Sequence, residues 1–265
     1  MRRAWLFLLL IIVGFSSPAR AEGVRLPPGA RLIDLTHAFD DKTPYWPEKP
    51  PEHFVLTRSY CGKTPRGFFY CAGKMAAPEH GGTHLDAPLH FAEKHPSVEA
   101  IPLSRLMAPA VVIDMSAAAR ANRDARLSAG DVAAFEKEHG AIARGTIVLV
   151  RTGWAERYGD AKRYYGTEKL DDDSDLHFPG VGEDAARVFV QRGVGAVGID
   201  GPSLDYGPSK DFATHQVLLG ADIPQLENVA ALAEVPATGA LVIALPMKIA
   251  GGTGAPLRIV AVVAR

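Results

Sequence analysis

Cysteine is nearly absent from this chain: Cys61 and Cys71 are the two in 265 residues. Neither stands in a spacing that would make it a metal ligand. An excess of charge of either sign is missing too. The formal net charge is −1, with no basic block and no interleaving of basic and aromatic residues, which excludes a nucleic-acid partner. Beyond Phe15 there is no apolar run of membrane-spanning length. No Gly-x-Ser-x-Gly turn presents a nucleophile, because Gly198-Ile-Asp-Gly-Pro-Ser203 has the wrong order, and this excludes a serine hydrolase. Gly251-Gly-Thr-Gly254 lacks a following Lys-Ser or Lys-Thr and is no phosphate cradle; it reads as a close backbone approach near a site. Asp171-Asp-Asp-Ser-Asp175 lacks the glycine and distal glutamate of a calcium loop, which leaves a solvated loop. Repeats, long linkers and low-complexity segments are also absent, so residues 22–265 are expected to form one domain.

The first 21 residues have the pattern of a signal peptide. Arg2 and Arg3 supply the positive start, and Ala4 to Phe15 is an apolar run too short for a membrane span. Ala19-Arg20-Ala21 places small residues where a signal peptidase reads, which predicts cleavage before Glu22 and export to the periplasm or beyond, with no stable membrane insertion. In an exported chain, an even pair of cysteines this close in sequence favours a disulfide over two free thiols. The segment between them contains Gly62, Pro65 and Gly67 and can turn back on itself.

The residues that carry chemistry are concentrated in one run, His80-Gly-Gly-Thr-His84-Leu-Asp86-Ala-Pro-Leu-His90-Phe91. Neutral imidazole and carboxylate suit zinc, manganese and iron. Metal–ligand bonds of about 2 to 2.2 Å demand that the ligand atoms converge. His84 and Asp86 are two residues apart, so an extended backbone points both to one face. A straight strand would hold His80 and His84 roughly 13 Å apart. The glycines and Pro88 argue against a helix. A bent glycine loop entering a short strand is therefore expected, bringing His80 back to His84 and Asp86. His90, beyond Pro88, is placed as a nearby acid/base rather than a ligand.

That run resembles the signature of the cyclase family of metal-dependent hydrolases, which includes bacterial kynurenine formamidases (arylformamidases) and isatin hydrolases. Leu149 to Trp154, His177 to Gly180, Val197 to Asp205 and Ala244 to Arg258 are similar to family segments. The insert around residues 155–178 and the glycine-rich close are more like the isatin-hydrolase branch. The resemblance implies a second ligand pair, a histidine followed twelve residues later by a glutamate, and His215 and Glu227 have that spacing. His80, His84 and Asp86 would then hold one zinc or manganese ion. Asp86, His215 and Glu227 would complete a second site, with Asp86 and Glu227 shared. His90 would be the acid/base. Where family members often carry Trp-Pro-Gly-Asp, this chain has Trp46-Pro47-Glu48-Lys49, so the aromatic wall is kept without that aspartate. Tyr45, Trp46, Phe68, Phe69 and Phe178 are candidates for the wall.

The implied reaction is hydrolysis of the C–N bond of an aromatic amide. Metal-bound hydroxide would attack the carbonyl and His90 would pass a proton to the leaving nitrogen. An N-formyl arylamine is the expected substrate, with a cyclic amide of the isatin type as the alternative. A reading of another class, an exported metal- or ligand-binding protein without catalysis, leaves His90 unexplained. The resemblance also implies a homo-oligomer built on a dimer.

Local pattern predicts an α/β fold with some parallel pairing, and the resemblance adds a swivelling β/β/α architecture. Helices are expected over Leu127–Gly140 and Glu183–Arg192, the first started by Ser128 and Asp131 and the second closed by Gly193. Strands are expected at Thr146–Val150, Ala196–Ile199, Leu241–Leu245 and Leu257–Val263.

Overall fold

The structure, a computed structural model, describes residues 29–50 and 52–264. The expected signal segment, residues 1–21, lies outside them. The strands are β1 (Arg31–Asp34), β2 (Val55–Lys63), β3 (Phe69–Ala76), β4 (His84–Asp86), β5 (Met107–Asp114), β6 (Arg126–Leu127), β7 (Ile147–Arg151), β8 (Gly180–Val181), β9 (Ala196–Ile199), β10 (Gln225–Glu227), β11 (Ala240–Pro246) and β12 (Gly254–Val263). Between them lie α1 (Leu103–Leu106), α2 (Ser116–Ala121), α3 (Ala129–His139), α4 (Ala161–Tyr165), α5 (Glu183–Arg192) and α6 (Ala213–Leu219).

The main sheet runs β1-β12-β11-β5-β7-β9-β10-β4, and β4 also pairs with β12. That last pairing closes the sheet into a barrel-like ring, with β1 left outside it along the far half of β12. The pairs β5–β7, β7–β9 and β9–β10 are parallel, as the apolar strands and intervening helices lead one to expect. Side-chain alternation gives two cores. Ile147 and Leu149 of β7 face the ring interior with Leu85, Leu226, Val242 and Ile259. Val148 and Val150 face outward and pack with Val132 of α3, Phe189 of α5 and Leu218 of α6. Gly198 lets β9 pack closely on its neighbours, since a Cβ there would meet Leu149 Cδ2 at 2.7 Å and Leu226 Cβ at 3.1 Å.

The expected helices form where their end signals stand. Ser128 Oγ accepts from Asp131 N, and the Asp131 carboxylate accepts from Ser128 N, so α3 opens on a capping box. Gly193, at φ 64°, closes α5. The hairpin β2–β3 was not expected as strands, because its residues do not alternate and almost all of them are exposed. Cys61 and Cys71 face each other across it and form a disulfide, which agrees with the favoured pairing. Phe68 and Phe69 are exposed at its turn end, 55% and 68%, so they are not part of a pocket wall in this chain.

Phe189 is fully buried between α5 and the outer face of the ring. Phe189→Ala is expected to lower the unfolding free energy by about 3 to 5 kcal/mol, measured by denaturant titration; a loss under about 1 kcal/mol would contradict this placement of the outer core.

Candidate metal centre

The site is built on the seam that closes the ring. In β4, Leu85 points into the barrel core, and alternation turns His84 and Asp86 to the opposite face. In β10, Leu226 points in and Glu227 points out. Antiparallel register sets Glu227 directly opposite His84, so a cross-strand pair lays imidazole beside carboxylate. His215 arrives from α6, whose contacts reach β10. His80 is folded back by Gly81 (φ 141°) and Gly82 (φ 59°), and its ring centroid lies 5.5 Å from that of His84. Gly254, opposite Asp86 on the other side of β4, leaves space for His80; a Cβ there would meet His80 Cε1 at 2.5 Å.

Hydrogen bonds fix which nitrogen of each ring faces the centre. His84 Nδ1 donates to the Gly82 carbonyl at 2.9 Å, and His215 Nδ1 donates to Asp205 Oδ2 at 2.7 Å. The Thr253 hydroxyl spends its proton on Glu79 Oε2 at 2.5 Å, so it accepts from His80 Nε2 at 2.9 Å. Each ring therefore turns its remaining nitrogen inward as a lone pair. His80 Nδ1 meets Asp86 Oδ1 at 2.6 Å and His84 Nε2 meets the same oxygen at 3.1 Å. His215 Nε2 lies 3.6 Å from Asp86 Oδ2 and 3.4 Å from Glu227 Oε1. This is the orientation that outer partners impose on metal-ligating histidines.

Asp86 is 1% exposed and its Oδ2 is buried with no hydrogen-bond partner. Two buried carboxylates ringed by lone pairs need protons or a cation between them. Without a cation the imidazoles take up protons. Burial alone would lower the pKa of His84, but Asp86 and then Glu227 carry it up to about 9. His215 is likewise opposed by burial yet held well above its usual range by Asp205, Asp86 and Glu227. Among the described residues, two groups of side chains have ligand atoms within 4.8 Å of one another: His80, His84 and Asp86; and Asp86, His215 and Glu227. The donor set of imidazole and carboxylate fits zinc or manganese.

His90 sits at the edge of this cluster, on the short 3-10 turn Pro88–His90, with its ring stacked on His80 at 3.8 Å. Burial, with only partial compensation from Asp86, pushes its pKa down to about 4, so it is neutral at pH 7 and able to accept a proton. A cavity of about 280 Å³ opens over the cluster, walled by Trp46, Phe91, Tyr165 and Phe212. Trp46 is where it was expected. Phe178 is fully buried and meets Trp46 edge-on at 6.3 Å, so it supports the wall from behind and does not line it. Tyr45 lies beneath the glycine loop, its ring against Gly81.

The five expected ligands, His90 and Trp46 thus lie around one cavity, and Phe178 lies behind its wall. Sequence reading missed Asp205, Glu79 and Thr253, which hold His215 and His80 in place. Asp205 ends the run Val197–Asp205, which is similar to a family segment. Nothing in that run links it to His215.

The family model described as a putative cyclase matches residues 33–206. An isatin hydrolase of Roseibium aggregatum is 34% identical over 91% of this chain and 95% of its own length. A kynurenine formamidase of Salinibacter ruber is 30% identical over 86% and 96%. Among solved structures, an isatin hydrolase bound to the product analogue thioisatinate superposes with a TM-score of 0.83 at 30% identity, covering 90% of this chain and 94% of that one.

A pH dependence follows from the raised imidazole. The folded value for His84 of about 9 exceeds its usual 6.5, so in chelated protein its stabilising contribution is full below about pH 6.5 and lost as pH rises through about 9. A bound cation takes the place of the proton and removes that dependence. Thermal unfolding at pH 6.5 and pH 9 is expected to show the gap between metal-loaded and chelated protein widening at pH 9. An equal gap at both pH values would contradict the assignment.

Proposed function

The chain belongs to the cyclase family, and from that membership we propose that it is a metal-dependent hydrolase cleaving the C–N bond of an amide attached to, or fused with, an aromatic ring. The observation that carries this reading is a convergent imidazole–carboxylate cluster with a neutral histidine beside it, at the floor of an aromatic-walled cavity. When bound, zinc or manganese, as one ion or two, supplies Lewis acidity toward the amide carbonyl and lowers the pKa of water toward about 7. Asp86 and Glu227 supply the negative charge that holds the cation, and His80, His84 and His215 supply the nitrogen lone pairs. Trp46, Phe91 and Phe212 present ring faces and edges to an aromatic substrate. His90 takes a proton from the attacking water and returns it to the leaving nitrogen, which would otherwise depart as an amide anion.

Two substrate types share this chemistry. An N-formyl arylamine, as for an arylformamidase, has the support of the formamidase relatives. A cyclic aromatic amide of the isatin type has the support of whole-length likeness, at 34% identity and a TM-score of 0.83. We further propose export, supported by the basic, apolar and small-residue pattern of residues 1–21 and by the Cys61–Cys71 disulfide. Among the described residues no helix is long and apolar enough to cross a membrane. A homodimeric unit is supported by the uncovered apolar side chains of β2–β3, among them Leu56, Tyr70 and Met75.

Metal-loaded protein is expected to hydrolyse at least one of an N-formyl arylamine and isatin, and to lose that activity on chelation. Turnover of neither, with metal bound, would reject the reading. His90→Ala is expected to lower the rate by about 10² or more while metal content is unchanged; an unchanged rate would reject the role given to His90.

A further inference from the structure

Among the described residues, the side-chain NH2 of Asn228 in the cavity lining has no hydrogen-bond partner and no part in the cation cluster. Asn228 follows Glu227, is 3% exposed and lines the cavity. Its other polar groups are all engaged. Its N–H donates to the Gly201 carbonyl at 3.0 Å. Its carbonyl accepts from the Thr83 hydroxyl at 2.7 Å. Its Oδ1 accepts from the Tyr164 hydroxyl at 2.6 Å. The backbone is held in the left-handed region at φ 55°, which asparagine tolerates better than most residues.

Tyr164 decides which way the amide faces. Its side chain is fully buried, and its hydroxyl must find an acceptor. The oxygen of Asn228 is the acceptor it meets. Turning the amide over would set Nδ2 against a hydroxyl whose proton would then have no acceptor. Burial holds the Tyr164 phenol well above its usual range, so it remains a donor across working pH. The Asn228 NH2 is thereby left for the cavity that this residue lines.

We propose that the Asn228 side-chain amide donates a hydrogen bond to the carbonyl oxygen of the substrate amide, with Tyr164 as the positioning residue that aims it. This rests on the amide-hydrolase reading above. Attack at the carbonyl carbon moves the C=O electron pair onto oxygen, and a donor fixed beforehand stabilises that charge without reorganising. Clamping by Gly201, Thr83 and Tyr164 is what fixes it.

The test compares wild type with Asn228→Gly, which keeps the backbone conformation, Asn228→Asp, which keeps the shape but loses the donor, and Tyr164→Phe. Metal content is measured for each. With an N-formyl arylamine or isatin, both Asn228 variants are expected to lose about 10²-fold or more in kcat with KM changed less than about threefold. Tyr164→Phe is expected to fall between them and wild type, since the amide is present but no longer aimed. A loss below threefold in the Asn228 variants with metal retained overturns the proposal. A second readout does not need turnover: the infrared carbonyl band of carbonyl-¹³C acetanilide bound to the metal-loaded protein. The band is expected at lower frequency in wild type than in Asn228→Gly, and an identical band overturns the donor role even if wild type hydrolyses nothing. Absence of turnover with a band difference would reject the hydrolase reading and leave the donor in place.

Discussion

Two carboxylates and three inward-facing imidazole lone pairs, crowded at the seam of a closed sheet, are the constraint on which the rest of this structure depends. Such a cluster is repulsive unless positive charge sits within it. Protons can supply that charge, as the raised His84 shows, but the outer hydrogen bonds favour a cation. Gly82, Thr253 and Asp205 each occupy the outward nitrogen of a ring. A protein that only needed to satisfy buried histidines would have no reason to aim all three lone pairs at the same carboxylates.

The fold explains how that arrangement is held. β4 is three residues long, yet it closes the ring by pairing with β10 on one side and β12 on the other. Leu85 anchors it in the core while its two neighbours face the site. The glycines flanking it do opposite jobs. Gly81 and Gly82 allow the bend that returns His80, and Gly254 vacates the volume that His80 fills. Stability of the ring and geometry of the site are therefore one property. Displacing β4 would open the sheet and scatter the ligands together.

What was legible in the chain follows from the range of the interactions. His84 and Asp86 on one face, His80 returned by glycines and His90 set apart by Pro88 are consequences of local backbone geometry, and local geometry can be read from spacing. The capping box at Ser128 and the glycine end at Gly193 are local in the same way. His215 and Glu227 are different, because they meet the first motif only after β10 registers against β4. Resemblance to a family supplied them; periodicity could not. Asp205, Glu79 and Thr253 depend on contacts across even more of the chain, and no local pattern marks a carboxylate or hydroxyl as the partner of a distant imidazole. Phe178 and Phe69 show the converse error. Aromatic character is visible in sequence, but whether a ring lines a cavity, backs its wall or lies on an exposed hairpin is decided by tertiary packing.

The most direct test of the central claim is anomalous X-ray scattering from crystals of the protein purified without added chelator. A peak is expected at zinc or manganese edge energies, about 2 to 2.2 Å from ligand atoms of His84, Asp86 and at least one of His80, His215 and Glu227. Absence of any peak among these side chains in protein that has been supplied with both metals, with the rings joined by protons alone, would contradict it.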